Sequence, residues 1–448
     1  MSDLTGHHHT DESVERESGF QSRPSSFERS RTSSADFDPD DLQPSGWSKR
    51  LEWIFDEPHW LFWLLREFWP IPRLFGWAAV TRYDDVAEVL EQDDVFQVPF
   101  GEKVQRLNGG PNFLLGMQRD SEYWVCQEQV MQAFRRDDVA KIIAPLAKQA
   151  SNDIIARSEE AGKGRVDAIE SLITRVPIVI CCEYYGIRVP EPQRIDFGRW
   201  LIAMSLYTFG NPLDNPRYER AAIAAAIKVR ELVDSSIEYA KGRSVASDTV
   251  VDRLVKMQAK NAKLTDPVIR SYLIGMMTGF VPTNTMAAGH MLVMLLRRPK
   301  FMKAAKEAAM AGDDERLKRC LFEAMRFMPL NPGPFRICAS DYTVAAGTSR
   351  NRTIKKGTKV LAGTESAMFD NRRVTRPRTF NPDRPSTDYM LFGHGLHWCV
   401  GAFIAEAQIT QTFKALLVQK NLRPSRGGDG KLKTLGPFPW HLTVEFDV

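Results

Sequence analysis

Apolar side chains recur every three or four positions along most of the chain, which is the spacing that places them on one face of a helix. This pattern predicts helices over residues 83–90, 121–134, 138–160, 168–186, 217–242, 266–297 and 300–328. Shorter runs rich in β-branched and aromatic residues predict strands over residues 76–81, within 342–362 and over 440–446. No Gly- and Ser-rich linker interrupts residues 50–448. We therefore expect one large domain that is mainly α with small β-sheets, an α+β fold.

Residues 1–45 differ in composition from the rest of the chain. They contain ten Asp or Glu, four Arg and ten Ser residues, and so carry a net charge of −6. Because the whole chain carries +4, the remaining residues carry +10. A segment with so few apolar residues buries too little surface to offset the entropy lost on ordering. We expect an acidic, Ser-rich disordered tail, and not a signal peptide, since the segment lacks an apolar core.

The overall composition excludes several classes of protein. Sixty Lys and Arg nearly balance 56 Asp and Glu, which argues against a nucleic-acid-binding protein. Six cysteines are too few for a disulfide framework and favour a reduced, cytoplasmic setting. The apolar runs are shorter than the roughly 18 residues that a transmembrane helix needs. The aromatic-rich segment 60–69 leaves two interpretations open: a buried helix, or a surface patch for peripheral membrane contact near a substrate entrance.

The segment 392–401, Phe-Gly-His-Gly-Leu-His-Trp-Cys-Val-Gly, carries the clearest chemical signal. Its glycines allow positive φ angles and a close approach of the backbone to a flat group. An apolar-periodic helix follows directly, so Cys399 is presented at a helix start, where free N–H groups and the helix dipole favour a thiolate. A thiolate held in this way is a metal ligand or a nucleophile. The chain lacks the Cys-x-x-Cys spacing of a zinc site around it.

This segment resembles the heme-binding loop of the cytochrome P450 family. The matching positions are Phe392, Gly393, Gly395, His397, Cys399 and Gly401. The resemblance implies heme b as cofactor, with Cys399 as the proximal ligand of its iron. A thiolate ligand donates electron density to the iron and favours cleavage of an O–O bond. The resemblance extends over about residues 50–448, which we interpret as a cytochrome P450 catalytic domain.

Two other regions resemble structural landmarks of the family. Glu323 and Arg326 match its Glu-x-x-Arg pair, and Arg384 matches the third member of a Glu-Arg-Arg network. At a spacing of three residues, the first two side chains share one face of a helix and can form an ion pair. We assign these three residues to the stability of the fold and of the heme pocket.

The resemblance also indicates which residues contact the heme propionates. Arg336 lies where the family places an arginine, whose planar fork suits a carboxylate. The helix that usually supplies His-x-x-x-Arg here has Tyr123 and Gln127 at the matching positions. We therefore expect propionate contacts from Tyr123, Gln127, Arg336 and His397.

The helix expected on the distal side of the heme departs from the family pattern. With Gly279 aligned to the family glycine, Val281 and Pro282 replace the acid and the alcohol that relay protons in the family. Neither side chain can carry a proton, and proline also lacks an N–H group. A local bulge would allow Thr283 or Asn284 to take over this role. We therefore name Gly279, Pro282, Thr283 and Asn284 as candidate distal catalytic residues.

Three functions follow from these observations. The resemblance implies a monooxygenase that acts on a lipophilic substrate and receives electrons from a ferredoxin or flavodoxin. The loss of the acid–alcohol pair favours, as an alternative, a peroxygenase that uses peroxide or an enzyme that rearranges a hydroperoxide. A heme-binding sensor without catalytic activity is the alternative from another class.

Overall fold

The computed structural model describes residues 59–448 except residues 161, 163, 212, 213, 245 and 246. The tail predicted over residues 1–45 lies outside the described residues. The described helices are α1 (His59–Phe68), α2 (Tyr83–Glu91), α3 (Gly101–Asn108), α4 (Ser121–Ala133), α5 (Ala144–Glu160), α6 (Arg175–Ile180), α7 (Arg194–Phe209), α8 (Pro216–Gly242), α9 (Val250–Gln258), α10 (Asp266–Arg297), α11 (Pro299–Ala311), α12 (Asp314–Arg326), α13 (Thr364–Ala367) and α14 (Ala402–Leu417). The described strands are β1 (Arg73–Leu74), β2 (Trp77–Val80), β3 (Phe96–Gln97), β4 (Arg165–Asp167), β5 (Phe335–Cys338), β6 (Tyr342–Val344), β7 (Arg352–Ile354), β8 (Lys359–Ala362), β9 (Lys420–Pro424), β10 (Lys433–Leu435), β11 (Phe438–His441) and β12 (Thr443–Asp447). The prediction of a mainly α fold with small sheets is confirmed.

The strands form small separate sheets around the helices. The largest has the order β1-β2-β8-β5-β3, with β2 parallel to β8 and the other pairs antiparallel. A three-stranded sheet has the order β4-β12-β9, and β6-β7 and β10-β11 form antiparallel pairs. The five-stranded sheet matters for the site because β5 carries Arg336.

Helix α10 forms the centre of the fold. Its 32 residues are apolar on nearly all sides, which is typical of a helix that is surrounded by protein. It packs against α7, α8, α12 and α14 and is buried along most of its length. The sequence pattern predicted its limits correctly, since Pro267 lies in its first turn and Pro299 starts the next helix.

One predicted helix, over residues 300–328, is in fact two. Gly312 ends α11 with a left-handed φ of 72°, and the side chain of Asp313 accepts a hydrogen bond from the N–H of Arg316 at the start of α12. A glycine in this conformation followed by an aspartate cap is a helix stop and start in direct succession. The apolar spacing continues through the break, so the periodicity alone did not reveal it.

Among the residues that the structure describes, no helix is both long enough and apolar enough to cross a bilayer.

Candidate active site

A cavity of about 340 Å³ lies between the middle of α10 and the loop before α14. Helix α10 contributes Gly279 and Thr283 to its wall, and the loop contributes Phe392, Cys399 and Gly401. The wall is largely apolar, and no carboxylate belongs to it among the described residues. The structure therefore brings together the two regions that the sequence marked as chemically important.

The loop holds Cys399 through a backbone conformation that depends on glycine. Gly393 and Gly395 have φ angles of 79° and 69°, and a Cβ atom on Gly395 would lie 2.5 Å from the carbonyl oxygen of Leu90. The N–H of Cys399 donates to the carbonyl oxygen of Phe392 at 2.9 Å, which closes the loop. These constraints fix the position of the sulfur in the cavity wall.

The protonation of Cys399 differs from the expectation based on a helix start. Burial raises the pKa of the Cys399 thiol, and the hydrogen bond from the backbone N–H of Gly401 offsets this only in part. Helix α14 begins at Ala402, three residues after the cysteine, so the dipole of this helix does not outweigh the effect of burial on the pKa of Cys399. A bound metal cation removes the proton of a coordinating thiol outright. The environment of Cys399 thus suits a metal ligand better than a free nucleophile.

Arg336 provides the test of whether the cavity fits a heme. Its side chain on β5 is only 4% exposed, and burial lowers its pKa to about 10. Its guanidinium donates to the carbonyl oxygen of Phe335 at 2.9 Å but forms no ion pair with any described carboxylate. The nearby Asp93 is already held by Arg119, with distances of 2.7 and 2.9 Å. A buried arginine without a counter-ion fits the propionate of a heme, so the residues present fit this cofactor.

Two of the other predicted propionate contacts also line the cavity. His397 lies in the wall, and burial together with the charge of Arg336 lowers its pKa to about 4. Tyr123 is buried, donates from its hydroxyl to the carbonyl oxygen of Leu396 at 2.9 Å and meets the His397 ring edge-on. Gln127 differs from the expectation: it is half-buried, one turn further along α4, and does not belong to the wall. One turn shifts a side chain by about 5.4 Å along the helix axis, which places Gln127 beyond the cavity.

The distal wall corrects the alignment made from the sequence. Gly279, Thr283 and Asn284 line the cavity, whereas Val281 and Pro282 do not. Residues at positions i and i+4 share a helix face, so Gly279 and Thr283 point the same way and Pro282 points elsewhere. The Thr283 hydroxyl donates to the carbonyl oxygen of Gly279, and the Asn284 amide donates to that of Phe280 at 2.7 Å. Helix α10 continues through Pro282 without a bulge. Thr283, not Pro282, is therefore the alcohol position next to the cavity.

The apolar wall is built partly from residues that the sequence did not single out. Phe100 and Phe209 meet edge-on at 5.2 Å over the cavity, and Phe113 and Phe335 also line it. Of the aromatic residues of α7, only Phe209 reaches the wall. Phe100 directly precedes the short helix α3 and Phe335 begins the four-residue strand β5, and neither element is long enough for its periodicity to mark these residues in the sequence.

The predicted Glu-Arg-Arg network forms below the cavity. Arg326 donates two hydrogen bonds of 2.9 Å to Glu323, and both side chains are fully buried. Arg384 lies 3.4 Å from the same carboxylate and also binds backbone carbonyls of residues 375–379. The hydroxyl of Tyr389, which no sequence signal marked, donates to Glu323 at 2.8 Å. This network connects α12 to the segment that leads into the cysteine loop.

Arg336 leads to a prediction about heme affinity. We expect Arg336→Met to weaken heme retention by about 10- to 100-fold, because a charge-assisted hydrogen bond contributes roughly 1.5–3 kcal/mol. The measurement is the rate at which heme passes from the protein to an excess of a heme-scavenging protein. Arg157→Met, at an exposed position, is the matched control. Equal rates for Arg336→Met and the wild type would contradict the assignment of Arg336 to a propionate.

Comparison with known proteins agrees with this geometry. The family model for cytochrome P450 matches residues 78–438. The chain is 25% identical over 366 residues to mycinamicin IV hydroxylase/epoxidase of Micromonospora griseorubida, covering 79% of this chain and 85% of that protein. It is 24% identical over 352 residues to steroid C26-monooxygenase of Rhodococcus jostii, covering 76% and 69%. The crystal structure of CYP109E1 from Bacillus megaterium in complex with testosterone is similar in fold, with a TM-score of 0.73 at 20% identity, covering 88% of this chain and 98% of that one.

The family match spans most of the chain and includes the cysteine loop, the buried arginine and the distal helix. Members of this family bind heme through a cysteine thiolate and act as oxidoreductases. The protein therefore belongs to the cytochrome P450 family.

Proposed function

We propose that this protein is a monooxygenase that inserts one atom of dioxygen into a lipophilic organic molecule. The observation that carries the proposal is the position of Thr283, whose hydroxyl lies in the cavity wall and is held by the carbonyl oxygen of Gly279. The bound heme supplies the oxygen chemistry. The protein's own residues then have to bind the substrate, exclude bulk water and bring protons to the reacting centre.

Thr283 supports the last of these tasks. The Thr283 hydroxyl donates its proton to the carbonyl oxygen of Gly279. Its oxygen lone pairs therefore remain free to accept a hydrogen bond from a water molecule in the cavity. Pro282 and Val281 face away from the cavity, and the described wall has no carboxylate. Proton delivery therefore depends on water held by Thr283, without the acid that most members of the family place beside the alcohol.

The character of the wall supports a lipophilic substrate. Phenylalanine and aliphatic side chains dominate it, and Arg336 is its only described side chain with a permanent charge. Because Arg336 is assigned to the heme, no charged anchor for the substrate remains among the described residues of the wall. Two relatives are named mycinamicin IV hydroxylase/epoxidase and steroid C26-monooxygenase. Mycinamicin IV and steroids are therefore suitable first probes.

Charge supports an acidic electron donor, such as a ferredoxin or flavodoxin. The chain outside residues 1–45 carries +10. The basic residues 372–378 contribute less than their number indicates, because Arg372 is paired with Glu67 and Asp370. We therefore attribute binding of the electron donor to the net charge of residues 46–448 rather than to residues 372–378.

A peroxide-driven reaction is the second candidate. It is favoured by the absence of a carboxylate from the described wall, since hydrogen peroxide already brings the protons and electrons that a relay and a donor protein otherwise supply. The test compares turnover of testosterone with a ferredoxin system and with hydrogen peroxide. Turnover with peroxide and none with the ferredoxin system would contradict the monooxygenase proposal. No turnover with either oxidant and no binding of any lipophilic probe would favour a sensor.

The role of Thr283 has a direct test. We expect Thr283→Val to lower the fraction of electrons that reach product by about tenfold or more and to increase peroxide release. A general acid or base accelerates a reaction by roughly 10²–10⁴-fold, and water replaces part of this acceleration when the side chain is lost. Thr285→Val is the control, because that hydroxyl binds Thr174 and the carbonyl oxygen of Val281, outside the wall. Unchanged coupling in Thr283→Val would rule out the relay.

A further inference from the structure

A groove with two exposed arginines lies beside the first described helix. It has a volume of about 500 Å³, separates α1 from residues 371–379 and is lined by Trp63, Phe369, Arg376 and Arg378. Trp63 is 39% exposed, so α1 is not the buried helix that one interpretation of residues 60–69 predicted. Both arginines are exposed, and neither forms an ion pair with a described residue. The groove therefore combines an aromatic wall with two positive charges that lack a described counter-charge.

The segment that carries the two arginines is held firmly from below. The buried guanidinium of Arg384 donates to the carbonyl oxygens of Thr375, Arg376 and Thr379 at 2.8, 3.3 and 3.0 Å. Arg376 has a φ of 46°, a conformation that residues other than glycine rarely adopt. Backbone strain of this kind persists where the surrounding structure enforces it, and it is common at binding sites. The arginines of the groove are thus presented by a fixed backbone.

The sequence supplies an acidic segment that can reach this groove. Residues 37–42 read Phe-Asp-Pro-Asp-Asp-Leu, and residues 32–48 contain no Lys or Arg. Sixteen residues separate this segment from His59, where α1 begins. A chain of that length spans at most about 55 Å. Trp63 in the groove wall is only about one helical turn from His59, so the groove lies within this reach.

We propose that residues 37–42 bind in this groove of their own chain, with their three aspartates paired to Arg376 and Arg378. A guanidinium group forms strong paired hydrogen bonds with a carboxylate, which explains why aspartates are the favoured partners. The phenylalanine and the leucine at the two ends of the segment offer apolar contacts to Trp63 and Phe369. The proline within the segment restricts its backbone to extended conformations, which lowers the entropy lost on binding.

The connection within one chain favours this partner over an external one. A flexible connection of this length gives the segment an effective concentration in the millimolar range at the groove. Exposed ion pairs that are individually weak therefore suffice to hold it. The bound segment clamps α1 to residues 371–379, which Arg384 joins to the buried network around Glu323. This inference does not depend on the proposed function.

The test is a titration of the full chain with a fluorescently labelled peptide of residues 34–45, followed by fluorescence anisotropy. The probe competes with the chain's own segment for the groove. We expect Asp38→Asn/Asp40→Asn/Asp41→Asn to bind the peptide about tenfold or more tightly than the wild type, because its own segment no longer fills the groove. The control, Asp11→Asn/Glu12→Gln/Glu15→Gln, removes three acidic charges elsewhere and should bind the peptide like the wild type.

A second set of variants tests the groove itself. In the chain with the three neutralised aspartates, Arg376→Gln/Arg378→Gln should weaken peptide binding about tenfold or more. Its control in the same chain, Arg217→Gln/Arg220→Gln, changes two exposed arginines of α8 and should leave the affinity unchanged. Raising the salt concentration should weaken binding, because exposed charges are screened.

Three results would overturn the proposal. One is equal affinity of the peptide for the wild type and for the chain with neutralised aspartates, and another is an absence of binding to both. The third is a wild-type dimer that dissociates when the aspartates are neutralised, which would place the segment in the groove of a second copy. The absorption spectrum of the heme-loaded variants shows that they are folded. Since the titration needs no turnover, its failure is distinguishable from failure of the proposed reaction.

Discussion

Cys399→Ser is expected to abolish the red-shifted Soret band that a thiolate ligand gives to the reduced carbonyl complex of heme. The sulfur of Cys399 lies in the cavity wall, in the loop whose backbone conformation depends on Gly393 and Gly395. A serine oxygen does not replace a thiolate as an electron donor to iron, so oxidation of any substrate should fall to background. The measurement is the carbonyl difference spectrum of the reduced protein.

Cys182→Ser provides the matched control, because Cys182 is also a free and only partly buried cysteine but lies far along the chain from the loop. It should keep the thiolate band at full intensity. If Cys399→Ser kept the band, or if Cys182→Ser lost it, the assignment of the iron ligand would be wrong.

Glu323→Gln is expected to have the largest effect on stability. It would leave Arg326, which is fully buried, without its counter-charge and would also weaken the contacts of Arg384 and Tyr389. Breaking a buried ion pair by removing one partner costs about 3–5 kcal/mol, a large part of the stability of a typical domain. We expect a lower denaturation midpoint together with loss of heme from the isolated protein.

The control for this effect is Glu315→Gln on the same helix. Glu315 pairs with Lys318 at 2.8 Å, but its side chain is 76% exposed. An exposed pair contributes about 0–1 kcal/mol, so the midpoint should hardly change. Equal midpoints for the two variants would show that the buried network is not a main source of stability.

The sequence predicted the features that depend on local pattern. The limits of α10 follow from continuous apolar character between two prolines, and Cys399 follows from a loop in which glycines and a cysteine have fixed spacing. The Glu323–Arg326 pair follows from helical spacing. In each case the information lies within one continuous stretch of the chain.

Features that depend on orientation or on distant segments were harder to predict. Pro282 and Thr283 are adjacent, and only the face of the folded helix shows which of them reaches the cavity. The four-residue spacing between Gly279 and Thr283 was a signal that the alignment did not use. Tyr389 joins Glu323 from 66 positions along the chain, and nothing in its local sequence indicates that contact.

The origin of the inserted oxygen atom distinguishes a monooxygenase from a peroxide-driven enzyme. Lipophilic probes that shift the Soret band of the heme-loaded protein, beginning with testosterone, would be incubated with a ferredoxin system under isotopically labelled dioxygen. We expect a hydroxylated or epoxidised product that carries one labelled oxygen atom and forms only when electrons are supplied. A product that forms only with added peroxide, and carries no label from dioxygen, would contradict this expectation.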